Sequence, residues 1–258
     1  MHSYIAIQNT YDIFEMALFI NNNIIDHIHD DKRHTSKMFI PFLDQLCIRN
    51  NILFSNISFC AVNCGPGPFS TLRSIIASVN GLYLATNVPL IGIDGLEATF
   101  LEFYDKQYQN TIVLLNAFNN EVYYLIFTPS TYSPLSYFPS SFLSDGAPER
   151  NKVELGVNGA PKKEVKNAVK GYKKIDAFLA EIKQQFVDQP IHFIGNGVTL
   201  YYDLIQQTYG DRAVIKENIS QMCSLETIGK LGLHAFLNNQ QANDFLMPLH
   251  LKKHAVEM

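Results

Sequence analysis

The stretch Ile57-Ser58-Phe59-Cys60-Ala61-Val62-Asn63-Cys64-Gly65-Pro66-Gly67-Pro68-Phe69-Ser70-Thr71-Leu72-Arg73 sets the fold class. Residues 57–62 are a short, almost wholly apolar run, as in a strand buried on both faces, and the glycines and prolines at 65–68 end it before a helical pattern starts near Ser70. In that helix Leu72, Ile75, Ile76, Val79 and Leu82 make an apolar face. Ser74, Ala77, Ser78, Gly81 and Ala85 make a neighbouring face of small side chains suited to close helix contact.

Upstream, Thr35 can cap a helix in which Met38, Phe39, Phe42, Leu43, Leu46 and Cys47 recur at three- and four-residue spacing. Residues 4–7, 13–20 and 24–29 are apolar or β-branched runs separated by Asn-rich turns, so the chain opens with a three-stranded meander. Downstream, 88–94 reads as a strand and 96–104 as a helix. Residues 111–116 and 121–128, joined by Ala117-Phe118-Asn119-Asn120, repeat the opening meander, which points to duplication. The segment 129–171, rich in Ser, Pro, Gly and Lys, reads as a loop-rich insertion. A helix carrying Ile175, Phe178, Leu179, Ile182 and Phe186 follows. Then come a strand at 191–194, a Gly195-Asn196-Gly197 turn, a helix over 198–208 and a last helix over 225–237. Strands alternating with helices predict an α/β protein.

The 258 residues are 47% hydrophobic and 17% charged, enough apolar surface to fold and too little charge for a disordered chain. Twenty basic against 24 acidic side chains give a formal charge of -4, which disfavours autonomous nucleic-acid binding. Cys47, Cys60, Cys64 and Cys223 have no spacing for a zinc site or a disulfide framework, and such sparse thiols fit a reducing compartment. No apolar run approaches the ~20 residues that span a bilayer, so the expected location is the cytoplasm.

Three groups of residues could carry chemistry. The Gly65-Pro66-Gly67 loop ahead of a helix, with Ser70, could cradle an anion, but Pro66 and Pro68 each remove an N–H donor, and a sharp chain turn explains the same residues. Ser70 and Thr71 also read as helix caps rather than nucleophiles. His27, His29 and His34 lie close in sequence without a third ligand, so no metal site is expected there. Lys162, Lys163, Lys166, Lys170, Lys173 and Lys174, if helical, fall largely on one face that could touch an RNA backbone or simply be solvated.

The ordered set His34-Thr35-Ser36-Lys37-Met38 with Pro41, Gly65-Pro66-Gly67-Pro68-Phe69-Ser70-Thr71-Leu72-Arg73, Gly81-Leu82, Pro89-Leu90-Ile91-Gly92-Ile93, Glu121-Val122-Tyr123, Ile194-Gly195-Asn196-Gly197 and Pro248-Leu249-His250-Leu251-Lys252 resembles the bacterial TsaB (YeaZ) family. The family reads HT, GPGSFTGLR, GLA, PLIGV and PxYLR at five of these places. The resemblance implies the actin-like, Hsp70-like, sugar-kinase-like fold. It has two related α/β domains: residues 1–105 plus about 222–258, and residues 106–221 with the insertion near 129–171.

The resemblance further implies a noncatalytic accessory subunit in the synthesis of N6-threonylcarbamoyladenosine on tRNA. Its partners are a metal-bearing TsaD-type transferase paralogue and a TsaE-type ATPase, with tRNA met indirectly and self-association left open. ATP and the divalent metal are then expected in the partner subunits and not in this one. The partner surface is implied on the two helices that carry Thr35, Met38, Phe42, Arg73, Ser74, Ala77, Ser78 and Gly81. The paralogue's His-x-x-x-His metal pair would fall at Gly95-Leu96-Glu97-Ala98-Thr99, and the family's IDTS at Ile7-Gln8-Asn9-Thr10; Asn116 stands where an Asp is common. Each change removes a metal ligand or carboxylate. The alternatives carried forward are an ATP-dependent kinase or peptidase of the same fold, and a tRNA-binding module.

Overall fold

The computed structural model describes residues 2–128, 168–216, 222–238, 245–249 and 251. Ser3–Asn9 (β1), Ile13–Ile20 (β2) and Asn23–Asp31 (β3) form the expected antiparallel meander, and Cys60–Asn63 (β4) and Leu90–Ile93 (β5) extend the sheet in parallel from β1, giving the order β3-β2-β1-β4-β5. β4 is shorter than the 57–62 run because its parallel partners are met only from Cys60, opposite Ile5 and Leu90, while Phe54–Asn56 turn in a 3-10 helix.

The second sheet repeats this plan. Asn110–Asn116 (β6), Glu121–Phe127 (β7) and Val169–Lys174 (β8) are antiparallel, and Ile191–Ile194 (β9) and Ala213–Val214 (β10) run parallel to β6, in the order β10-β9-β6-β7-β8. β8 lies where a loop, or a lysine-faced helix, was expected. Its backbone pairs with β7 from Ile126↔Val169 to Glu121↔Lys174, and that ladder overrides a sequence with little apolar alternation. Gly171 sits so close to the Tyr124 ring that a Cβ there would lie 2.3 Å from its hydroxyl oxygen.

Among the described residues seven α-helices cover the sheets: Thr35–Arg49 (α1), Phe69–Thr86 (α2), Gly95–Phe103 (α3), Ile175–Gln185 (α4), Asn196–Leu200 (α5), Tyr202–Tyr209 (α6) and Leu225–Leu237 (α7). The single helix expected over 198–208 is two, broken at Tyr201. Side chains of β1 alternate between faces: Ile5 and Ile7 pack with α1 and α2, and Tyr4 and Ala6 pack with α7. In the second sheet Ile112 and Leu114 pack with α4 and α6. Its other face is covered by α3, whose Leu96 and Phe100 meet Val113, Leu115, Leu125 and Phe127. The helix that closes the first half of the chain therefore roofs the sheet of the second.

Candidate functional site

The ends of β1, β4 and β5 converge on the Gly65 loop. Asn63 organises it: its Nδ2 donates to Gln8 Oε1 at 2.9 Å and its Oδ1 accepts from Gly65 N at 2.9 Å. Gln8 in turn donates from Nε2 to Glu15 Oε1 and to Cys223 O, each at 3.0 Å. Asn9, 6% exposed, accepts from Thr35 Oγ1 at 3.2 Å. Gln8 and Asn9 stand where the resemblance placed a carboxylate; the side-chain amides of Gln8 and Asn63 are hydrogen-bonded at both ends, while the buried Asn9 Nδ2 has no partner among the described residues.

The start of α3 is equally committed. Asp94 caps it, with Oδ1 accepting from Leu96 N at 2.8 Å and Glu97 N at 3.1 Å. Gly95 N donates to Gly65 O at 2.7 Å, and a Cβ on Gly95 would lie 2.7 Å from Asn63 Oδ1, so no side chain fits. Thr99, fully buried, donates to Gly95 O at 2.7 Å and accepts from Cys223 N at 3.1 Å. Burial pushes the neighbouring Cys64 thiol up to about 12, which keeps it protonated. Among the described residues no group of three or more His, Cys, Asp or Glu side chains is arranged to hold a metal ion.

The loop itself offers an anion little. Gly65 N is taken by Asn63, and Pro66 and Pro68 have no N–H. Neither Ser70 nor Thr71 caps α2: Pro68 is the cap residue, Thr71 Oγ1 donates to Pro68 O at 3.1 Å, and exposed Ser70 accepts at its carbonyl from Ser74 Oγ at 3.1 Å. Between Gly67, Phe69, Leu72, Ala117, Phe118 and Leu249 lies a cleft of about 300 Å³.

The outward faces of α1 and α2 divide the expected surface residues into two sets. Thr35 is 2% exposed, and Phe42, 4% exposed, stacks on Phe14 with centroids 5.6 Å apart, so both are interior. Thr35 is also not the cap of α1; His34 is, and the Thr35 hydroxyl points inward to Lys32 O at 2.6 Å. Met38 is half-buried against the same core. On α2, Arg73, Ala77 and Gly81 are exposed, and Ser74 and Ser78 half-buried. The Arg73 guanidinium lies over the Phe69 ring at 3.7 Å from its centroid, and a Cβ at Gly81 would meet nothing among the described residues within 4 Å. The exposed apolar residues of α1 are Ile40 and Ile48, 57% and 71% exposed, flanking a shallow groove with Pro41, Asp44, Gln45 and Arg49. Sequence reasoning missed these two. Helical phase could have found them, because Ile40, Asp44 and Ile48 follow one another at four-residue spacing on the side of α1 turned away from buried Phe39, Phe42 and Leu46.

Of the six lysines, Lys162, Lys163 and Lys166 lie outside the described residues. Lys170 pairs with Asp94 at 2.6 Å and with Glu97, Lys173 pairs with Glu181, and exposed Lys174 precedes α4. Lys170, Lys173 and Lys174 thus lie on the strand β8 and not on one helical face.

The sequence family described as TsaD, tRNA N6-adenosine threonylcarbamoyltransferase, matches residues 28–256. The chain belongs to that family. Among relatives named for tRNA threonylcarbamoyladenosine biosynthesis protein TsaB, that of Buchnera aphidicola subsp. Acyrthosiphon pisum is 23% identical over 48% of this chain and 57% of its own length. That of Buchnera aphidicola subsp. Schizaphis graminum is 25% identical over 46% of this chain and 58% of its own. The match thus spans little more than half the length of these TsaB relatives. YeaZ from Pseudomonas aeruginosa superposes with a TM-score of 0.63 at 14% identity, covering 97% of this chain and all of that one. The TsaB (YeaZ) resemblance read from the motifs holds, and with it the actin-like, Hsp70-like, sugar-kinase-like fold of two related α/β domains.

Proposed function

We propose that this chain is a noncatalytic accessory subunit in the synthesis of threonylcarbamoyladenosine on tRNA, docking a TsaD-type transferase through the outer faces of α1 and α2. The start of α3 carries this reading: Gly95 and Thr99, at the positions of the paralogue's ligand pair, are engaged in backbone hydrogen bonds, and no side chain fits at Gly95. The exposed, nearly side-chain-free ridge of Ala77 and Gly81 favours a helix partner at close range. In this reading ATP and the divalent metal belong to the partners, a TsaE-type ATPase among them, and tRNA is met through the complex in the cytoplasm. The same face also suits a second copy of the chain when the transferase is absent.

Reconstitution of tRNA modification from purified components, with and without this chain, tests the proposal. Modification should require the chain and be absent with the chain alone. Turnover by the chain alone, or full modification without it, overturns the proposal. Calorimetry with ATP and magnesium addresses the kinase reading, which requires binding by the isolated protein.

A further inference from the structure

The seam between the two sheets is filled by the chain's own side chains. Lys170 projects from β8 onto the start of α3, where it meets Asp94 Oδ2 at 2.6 Å and the Glu97 carboxylate. Lys170 and Asp94 side chains are 23% and 19% exposed, so this triad is largely shielded from solvent. A cation beside a helix N-terminus opposes the helix dipole, and two carboxylates are needed to make the place favourable. Burial alone would pull the Lys170 ammonium down, but Asp94 and Glu97 outweigh it and hold it above the usual lysine range.

One further tie crosses the seam. The hydroxyl of Tyr11, in the first hairpin turn, donates to Asn116 O at the end of β6 at 2.5 Å, and Asn116 N donates to Asn196 Oδ1 at 3.0 Å. Tyr11 is 9% exposed, and its ring rests on Phe118 with centroids 6.0 Å apart. Between the polar ties lies an apolar core shared by Tyr11, Leu96, Phe100, Leu115, Leu125 and Phe127. A hinge opening would expose that core, break a shielded ion triad and orphan a buried hydroxyl together.

We infer that Lys170 and Tyr11 are built-in struts that clamp the two halves in one closed arrangement, so that the body works as a rigid piece. The clamp is independent of which partner α1 and α2 receive.

Two measurements test it. In the native protein, amide hydrogen exchange of α3 and β6 should give opening free energies matching those of β1, protection factors agreeing within about tenfold, because the seam opens only with global unfolding. Distinctly faster exchange at α3 and β6 overturns the clamp. For the second, spin labels are placed at Asn22→Cys and Gln184→Cys, both exposed positions, in a Cys47→Ser background whose other thiols are buried. This protein should show one narrow distance distribution that MgATP leaves unchanged. The same labelled protein carrying Tyr11→Phe and Lys170→Met should broaden or gain a second distance. Two populations in the labelled parent, or a single unchanged distance in the double variant, overturns the inference. If the double variant does not fold, the exchange experiment decides.

Discussion

The side-chain amide of Asn80 makes a reciprocal pair of hydrogen bonds with the backbone of Leu246: Leu246 N donates to Asn80 Oδ1 at 2.9 Å, and Asn80 Nδ2 donates to Leu246 O at 3.0 Å. This imitates a strand bridge and fastens the 245–249 segment along α2. The Leu246 side chain is 4% exposed in the core beneath it, and Leu249 N donates to Cys64 O at 2.8 Å. Asn80→Asp keeps the acceptor but turns a carboxylate oxygen toward the Leu246 carbonyl. We expect it to cost about 1–3 kcal/mol in chemical denaturation and to speed proteolysis near residue 246. Native-like denaturation would refute the role given to Asn80.

Gly81 separates what the isolated chain needs from what a partner needs. A glycine inside an exposed helix costs roughly 0.5–1 kcal/mol relative to alanine, and nothing among the described residues lies within 4 Å of a Cβ there. Gly81→Ala should therefore raise the melting temperature of the isolated protein. Gly81→Arg should leave it folded but weaken transferase binding at least tenfold, about 1.4 kcal/mol, in a titration. Unchanged binding would move the docking surface elsewhere.

Gly195 sets the opposite expectation. Its φ is +99°, a region side chains rarely adopt, and a Cβ would lie 2.4 Å from Leu114 O. Gly195→Ala should destabilise by about 2 kcal/mol or more, read as a lowered melting temperature, since both strain and a backbone clash oppose it.

His192 gives the protein a pH dependence. It lies fully buried in β9, tilted against Tyr108 with centroids 4.7 Å apart, and neither ring nitrogen has a hydrogen-bond partner among the described residues. Burial first, and then the Lys216 ammonium, push its pKa down to about 4, with Asp105 acting weakly the other way. The unfolded chain therefore binds the proton more readily, and stability falls as pH drops from about 6.5 toward 4. Denaturation midpoints across that range should show the loss, and His192→Phe should flatten it. A wild-type profile that stays level over the same interval would contradict this assignment.

The first sheet, the β6–β7 hairpin, β9 and α2 were legible because their apolar runs are clear: Leu72, Ile75, Ile76 and Val79 announce both a helix and its buried face. β8 was not, because strand formation there rests on backbone pairing with β7, while Lys170, Lys173 and Lys174 mimic a solvated helix. At the site, Phe42 matched a partner anchor by residue type, but only the helical phase shared with Leu46 shows that it faces the core. The Tyr11 and Lys170 ties join residues separated by 105 and 76 positions, which no local pattern encodes.

Because α3 belongs by sequence to the first half and by packing to the second sheet, the molecule cannot be dissected at its own internal repeat. A fragment ending near residue 105 would carry Leu96 and Phe100 bare, and its complement would present Val113, Leu115, Leu125 and Phe127 to water. Neither half of the chain can shelter its own interior without the other.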